Sequence, residues 1–508
     1  MNTFPIGVGE VSPDRTSIKS LSKSRVAAGL QCHKRLYLEC YAHERRDPLD
    51  PARQGLIEVG RQVGIAAREA FPGGVLVSEE PWRHEDAARA TREVMQNPAV
   101  RAIFEGAFTF DSIRVRVDVL ARSDDGAWDV VEVKSSKQVK DDYLSDVALQ
   151  LHVVEGSGVP VADACVLHLN GDYVWNGGPY EPEELFTRRE LTEEVRRRMP
   201  ELLRRIEAMR GPLWGLVPPD IAIGAHCERP HRCPFHGTCH VNGAEHPIHT
   251  LPRMDQRLRR RLAGLGVADI REIPDDFDGL SPLQRRVRQC LIQRRAFVDP
   301  DLARELAAVR HPIHFLDFES CSVPLPVIPG TRPFEQTPFQ WSDHVLHEDG
   351  RVEHRAYLHG ARTDPRRPLA ESLLTTLDGA GAVVVYSGFE ARTMRGLAQA
   401  YPDLAAELLD HVERRIVDLQ RLVHAHYYHP DLKGSFSIKD VLPVVVDGLG
   451  YDDLEIREGS QASLAFATMT DPERPPGERA LLRDRLLAYC KRDTEAIMRL
   501  FLNLKEGS

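Results

Sequence analysis

Between residues 116 and 136 apolar and polar positions alternate in two runs separated by Ser123-Asp124-Asp125-Gly126. Val117 and Val119 flank Asp118 in the first run, and Trp128 to Lys134 (WDVVEVK) forms the second. The pattern predicts a β-hairpin. Elsewhere the period lengthens to that of helices. After a loose leader (1–20), Leu21 to Tyr41 reads as a helix with Ser22 as N-cap. Further helices are expected from Pro51 to Phe71, stopped by Pro72-Gly73-Gly74, and from His84 to Gln96. Asp141 to Gly156 sets Leu144, Val147, Ala148 and Leu151 on one side, and ACVLHLN (164–170) reads as a strand. Glu183 to Met209 is a long Arg-rich amphipathic stretch, expected to be helical with a kink or break at Pro200. Met254 to Phe297 is helical and basic. From Ile313 a strand-rich segment opens, with further strands beginning AVVVYSGFEARTMRGL (382–397) and IVDLQRL (416–422) and a helix carrying Tyr489 and Asp493. The fold class is α/β.

Chemistry enters where charges fall on these elements. Glu132 and Lys134 are two apart on a strand and leave the same face, and the hairpin brings Asp118 alongside. Two carboxylates and an ammonium converging there are costly unless compensated. A divalent cation would compensate them, and the lysine would orient a water or steady a phosphate. An exposed hairpin with an ordinary Glu/Lys pair is the structural alternative. Gln150, on the following helix, is placed to reach this hairpin.

Cys227, Cys233 and Cys239 recur every six residues in a loop rich in Pro, Gly and His. Three such thiols call for a fourth ligand, and Cys32 is the candidate. Zinc competes, with His226, His231, His236 and His240 as further donors; free buried thiols are the plain alternative. Cys40, Cys165, Cys290, Cys321 and Cys490 read as packing residues. Near the start of the strand-rich segment Asp317 and Glu319 share one strand face. Glu390 follows the strand that begins at Ala382, and Asp418 ends the next one. Tyr489 and Asp493, four apart, share a helix face. LAGLGVADI (262–270) matches the hairpin of a helix-hairpin-helix, with a plain helical connector as the alternative. Phe334, Phe339 and Trp341 read either as core or as surfaces for base stacking.

Composition narrows the class. With 508 residues the chain predicts roughly two to four domains. An apolar content of 42% and a charged content of 28% are those of a globular protein. No apolar run approaches a membrane span, and the start of the sequence lacks a signal-peptide core, so a cytoplasmic location without membrane partners is expected. A net charge of −10 does not advertise nucleic-acid binding, but a local basic groove can persist on an acidic protein. Nine cysteines in a reducing compartment suggest metal ligation for some of them.

Asp118, Glu132-x-Lys134 and Gln150, with Cys32 before and three cysteines after, resemble the RecB-type PD-(D/E)xK nucleases, including CRISPR-associated members with an iron–sulfur cluster. The resemblance implies a restriction-endonuclease-type fold over 21–245. It also implies Mg²⁺ or Mn²⁺ on Asp118 and Glu132, and a [4Fe–4S] cluster on Cys32, Cys227, Cys233 and Cys239. The family often carries a His in the helix before the hairpin, where VGRQVG (59–64) has none and Glu58 is the nearest acidic residue. Val154 stands where a tyrosine often follows the glutamine. After a basic helical connector (246–310), residues 311–508 resemble RNase H-like proofreading exonucleases of the tyrosine-containing DEDD subgroup. That resemblance implies metal ions on Asp317, Glu319 and Asp493, with Glu390 in place of the usual Asp and Tyr489 positioning a water. LDFES, RPFEQTPFQWSDHV (332–345), FSIKDVLP (436–443) and YCKRDT (489–494) resemble a bacterial family known only as a domain of unknown function. The expected activity is that of a metal-dependent nuclease. DNA, single-stranded or with free ends, is the expected partner, RNA is also open, and repair, CRISPR-type processing or phage defence is the setting. A nucleic-acid-binding scaffold with inactive sites is the alternative.

Overall fold

The computed structural model describes residues 20–48, 51–240, 244–377 and 379–507. The leader expected at 1–20 lies outside the described residues except for Ser20. The chain is mixed α/β and divides into two compact units, residues 1–173 with 178–242 and residues 174–177 with 243–508. Among the described residues no helix is long and apolar enough to cross a membrane.

The first unit runs β1 (Leu21–Ser22), α1 (Lys23–Gln31), α2 (His33–Tyr41), α3 (Pro51–Arg68), β2 (Val75–Leu76), α4 (His84–Met95), β3 (Ala102–Phe110), β4 (Ile113–Arg122), β5 (Trp128–Lys134), α5 (Asp141–Gly156), β6 (Val161–Leu169), α6 (Pro182–Leu185), β7 (Phe186–Glu190), α7 (Thr192–Trp214) and α8 (His236–His240). The hairpin expected from the alternation is β4–β5. Strands β3, β4 and β5 form an antiparallel meander, β6 joins parallel to β5, and β7 joins antiparallel to β6. Along β4, Ile113, Val115, Val117 and Val119 are buried, while Arg114, Arg116 and Asp118 between them are half-buried. β1 pairs with Ile113 and Arg114, the part of β4 that the β5 pairing leaves free, and so delivers the start of α1 to the hairpin.

Two expectations change here. The single helix expected over 21–41 is two helices, because Cys32 is extended (φ −165°, ψ 125°). Its N–H still bonds Ala28 and its carbonyl still bonds Leu36, so Cys32 itself keeps both backbone hydrogen bonds and the apolar period does not register the corner. Gly29 lets α1 lie against α7, where a Cβ would come 2.4 Å from Met209 Sδ. The stretch 183–209 is not one helix either. Phe186 is buried and anchors the edge strand β7, whose remaining residues are exposed, so FTRRE shows no apolar alternation. α7 then runs through Pro200, held by buried Val195, Leu202, Ile206 and Met209.

The second unit contains α9 (Gln256–Gly264), α10 (Pro282–Gln293), β8 (Phe297–Val298), α11 (Asp301–Ala307), β9 (Ile313–Cys321), β10 (Thr337–Leu346), β11 (Val352–Leu358), α12 (Arg366–Thr376), β12 (Ala382–Val385), α13 (Phe389–Ala400), α14 (Ala405–Arg414), β13 (Ile416–Asp418), α15 (Leu419–His426), β14 (Tyr427–Tyr428), α16 (Ile438–Val445), α17 (Gly459–Met469) and α18 (Pro476–Glu506). Its main sheet is ordered β11-β10-β9-β12-β13, with β10 and β11 antiparallel and β12 and β13 parallel. Both faces are covered. Phe315, Phe339 and Val384 pack with Ile497 and Phe501 of α18, while Leu316, Phe318 and Val383 pack with Leu369, Met394 and Leu408. Asp317 and Glu319 share the face of Phe315, toward α18.

Leu258, Leu262, Val287 and Leu291 of the expected connector lie in the same core as Phe315. Only α9 of the helix-hairpin-helix is present: Gly266 turns the chain (φ 69°), and Ile270–Glu272 is a single 3₁₀ turn. Its amides are already taken, since Glu272 accepts from the Asp269 N–H (3.2 Å) and Asp269 from the Arg271 N–H (2.9 Å). A phosphate finds no free donor in them. Of the aromatics left open by the sequence, Phe339 stacks on Phe466 (4.0 Å between centroids) and Trp341 is buried, so both are core; Phe334 is half-buried.

Candidate metal centres

In the first unit the register Val119↔Val131 sets Asp118 beside Glu132. Asp118 Oδ2 accepts from the Val133 N–H at 2.7 Å. Lys134 Nζ bridges Glu132 Oε1 (2.8 Å) and Asp146 Oδ2 (2.7 Å), and Gln150 Nε2 donates to Glu132 Oε2 at 2.6 Å. Asp118, Glu132, Lys134 and Gln150 therefore converge. Three further residues join them that the motif reading does not include. Asp146 lies one turn before Gln150 on α5, a spacing legible in the sequence. Tyr143 lies under Lys134 Nζ, 4.7 Å from the ring centroid. Lys23, at the start of α1, donates to both oxygens of Glu132, at 2.9 and 3.1 Å. No local pattern announces it.

Burial and the charge of Glu132 push Asp118 up to about 7. Burial acts on Glu132 in the same direction, but the Lys23 and Lys134 ammonium groups outweigh it and hold that carboxyl down at about 2. The compensation expected wholly from a divalent cation is thus supplied in part by Lys23. Oxygen donors for a cation remain. Asp118 has the raised pKa of an under-compensated carboxyl, and Gln150 Oε1 is buried without a hydrogen-bond partner. Such hard oxygens fit Mg²⁺ or Mn²⁺. Glu58 does not replace the absent His: it pairs with Arg61 (2.7 Å) on an exposed face of α3. Val154 is core.

The cysteines at the far ends of this unit meet. Cys32, Cys227, Cys233 and Cys239 line one pocket together with Lys34 and Arg35. The corner at Cys32 and the 3₁₀ turn Ala225–Cys227 present two of them, and the end of α8 presents Cys239. Side-chain hydrogen bonds also hold these segments together. The Gln31 side chain donates to the carbonyls of His226 (2.6 Å) and His231 (2.7 Å), and Asp47 accepts from the Gly237 N–H (3.1 Å). Burial pushes the thiols of Cys227, Cys233 and Cys239 up, so without a bound group they are neutral. Four sulfurs beside two basic side chains fit an anionic iron–sulfur cluster. His226 and His236 on the same pocket keep zinc chemically open. The side chain of His240 lies outside the described residues.

In the second unit Asp317 and Glu319 on β9, Glu390 in the first turn of α13 and Asp493 on α18 form one group, in which Asp317 is half-buried and the other three are buried. Burial, then Asp493, pushes Asp317 and Glu319 well above the usual carboxylate range. Burial takes Glu390 to about 7 and Asp493 to about 6. The side chains of Asp317 and Glu390 interact, and the contact raises Asp317 while it draws Glu390 down. Tyr489 hydrogen-bonds Asp493, as the four-residue spacing suggested. Four carboxylates from three elements with so little compensation fit divalent cations.

A family model described as a domain of unknown function (DUF2779) matches residues 314–437. It spans Asp317, Glu319 and Glu390 and ends before Tyr489 and Asp493. No curated protein matches the sequence.

Three more side chains belong to this centre. Tyr451 donates to Asp493 Oδ1 at 2.7 Å. Lys439, in the FSIKDVLP segment, lies 5.4 and 5.7 Å from the rings of Tyr451 and Tyr489 and draws the Glu319 and Asp493 carboxyls down. Cys490, expected only to pack, is buried with Sγ 3.8 Å from Asp317 Oδ2. Asp418 caps α15, accepting from the Arg421 N–H at 3.1 Å, and acts on Glu390 through charge. Tyr451→Phe removes a donor to a buried carboxylate. It is expected to destabilise the metal-free protein by about 1–3 kcal/mol in urea melts at neutral pH.

Proposed function

We propose that this chain is a metal-dependent nuclease, a phosphodiester hydrolase acting on DNA, with one centre in each unit. On this reading the first unit is a RecB-like domain clasped by an iron–sulfur cluster, and the second is an RNase H-like exonuclease domain. The observation that carries the reading is the second carboxylate group. Glu319, Glu390 and Asp493 are buried and Asp317 beside them is half-buried; burial raises the pKa values of all four, and the charge of Asp493 adds to this for Asp317 and Glu319. Such a cluster is costly in a protein that does not use it to hold cations.

Bound Mg²⁺ or Mn²⁺ would supply Lewis acidity at a phosphate and a bound water of lowered pKa. Asp317, Glu319 and Asp493 would hold the ions in the second unit, and Asp118 and Glu132 in the first. Tyr451 and Tyr489 orient Asp493 by donating to it, and Tyr489 is placed to position the attacking water. Lys439 faces the same carboxylates and offers a charge to the substrate phosphate. In the first unit Lys134 is fixed between Glu132 and Asp146 and has the corresponding role. The cysteine-bound group would be structural.

The test is cleavage of end-labelled single- and double-stranded DNA and of RNA with Mn²⁺ or EDTA, by wild type, Glu132→Gln, Asp317→Asn and the double variant. Each single change is expected to remove one mode of cleavage. The double is expected to lose more than the roughly 10- to 100-fold that loss of an outer partner of a metal ligand costs. A double variant that cleaves at the wild-type rate overturns the reading. A binding scaffold with a closed first centre is the second reading, favoured by the Lys23–Glu132 pair; it predicts retention of DNA without cleavage in any metal.

A further inference from the structure

The first centre already contains a cation. Lys23 Nζ donates to Glu132 Oε1 at 2.9 Å and to Oε2 at 3.1 Å. Lys134 takes Oε1 at 2.8 Å and Gln150 takes Oε2 at 2.6 Å. A carboxylate offers about four acceptor positions, so those of Glu132 are filled. The chelating approach of Lys23, two-pronged on one carboxylate and within the field of Asp118 and Asp146, is the approach of a metal ion. Lys134 has a second partner in Asp146 and is fixed between two anions. Among the described residues Lys23 forms an ion pair with Glu132 alone. Its side chain is 29% exposed, and it stands in the first turn of α1, next to the short β1 pairing that brings it there. Gln150 Oε1, buried without a partner, belongs to the residue that shares Glu132 Oε2 with Lys23.

We propose that Lys23 is a displaceable resident cation, and that a divalent ion enters this centre only by expelling it from Glu132. This inference rests on the reading of the first unit as a metal centre. Its consequence is linkage between metal and substrate. Once expelled, the ammonium turns on its four-carbon stem toward solvent and becomes available to an anionic phosphodiester. A nucleic-acid strand that captures Lys23 removes the competitor and so tightens metal binding, and metal tightens strand binding by the same factor. Lys23 is thus a positioning residue whose charge serves the empty and the loaded centre in turn.

The experiment is Mn²⁺ titration by calorimetry of the full chain carrying Asp317→Asn and Asp493→Asn to silence the second centre. Lys23 is left intact or replaced as Lys23→Met or, in case methionine disturbs folding, Lys23→Gln. The affinity of the remaining site is expected to rise about tenfold or more on removal of the ammonium. A non-cleavable phosphorothioate oligonucleotide is expected to tighten Mn²⁺ binding with Lys23 present and not without it. Mn²⁺ affinity that is unchanged or weaker in both folded replacements overturns the proposal but leaves the metal reading intact. The absence of any Mn²⁺ binding, with Lys23 or without it, overturns both.

Discussion

Metal-free Glu390→Gln is expected to be more stable than wild type at pH 8, by about 3 kcal/mol, and to lose that advantage by pH 4. Glu390 is 2% exposed, and burial takes its carboxyl from the usual value near 4.5 to about 7. A tenfold change in proton affinity between the folded and unfolded states corresponds to about 1.4 kcal/mol. A carboxyl whose pKa is raised by folding binds more protons in the native than in the unfolded state. Its favourable contribution is therefore full below the unfolded value and is lost as pH rises through the folded one. For Glu390 that window runs from about 4.5 to about 7, and Asp493, at about 6, adds to the same loss. The glutamine cannot ionise and escapes the loss. Urea melts of both proteins in EDTA at several pH values measure the difference. On the proposed function Mn²⁺ reverses it at pH 8, because the ionised cluster of the wild type then gains a counter-ion. A difference that does not change with pH would mean that these carboxylates are compensated in the metal-free protein. A difference that changes with pH but not with Mn²⁺ would leave the cluster without a metal role.

Cys32→Ser is expected to abolish the cysteine-bound group as completely as Cys233→Ser and to lower the thermal midpoint of the first unit. On the proposed function a clasp would join the corner between α1 and α2 to a segment nearly 200 residues later, where Gln31 already meets His226 at a separation of 195. Closing a loop of that length by a covalent link is worth about 5 kcal/mol in a chain-entropy model, and a bound metal group acts on the unfolded chain in the same way. Anaerobically purified wild type is expected to be brown and to contain iron, and both variants colourless. Stoichiometric zinc without iron replaces the cluster and keeps the clasp. Gln31→Ala removes the two hydrogen bonds to His226 and His231 and the one that Gln31 Oε1 accepts from Arg35. It is expected to cost far less, about 1–3 kcal/mol, and to leave the metal content unchanged.

Elements with a local signal were legible in the chain alone. Period-two alternation around Asp118, a Ser-Asp-Asp-Gly turn and the Val-rich run WDVVEVK specified the hairpin, although its second strand is buried on both faces from Trp128 to Glu132. The spacing of Glu132 with Lys134, of Asp317 with Glu319 and of Tyr489 with Asp493 put each pair on a common face. Helical period placed Gln150 on α5, and three cysteines in a loop without periodicity marked a ligand-bearing segment. Which distant groups complete these centres depends on how the elements pack. Lys23 reaches Glu132 because a two-residue parallel pairing, β1 on β4, sets the start of α1 beside the hairpin. Tyr451 reaches Asp493 across a separation of 42 residues, and Cys490 lies on Asp317 across 173. Such contacts leave no trace in local periodicity, because periodicity records which face a residue occupies and not what that face meets. The corner at Cys32 and the strand β7 escaped for related reasons. At the corner the N–H and carbonyl of Cys32 keep their helical hydrogen bonds, and an edge strand anchored by Phe186 alone needs no apolar alternation. Charge compensation was likewise left to the fold. The sequence shows two carboxylates and one lysine on a hairpin; the second lysine, which turns Glu132 into a filled site and leaves Asp118 the under-compensated one, comes from another element altogether.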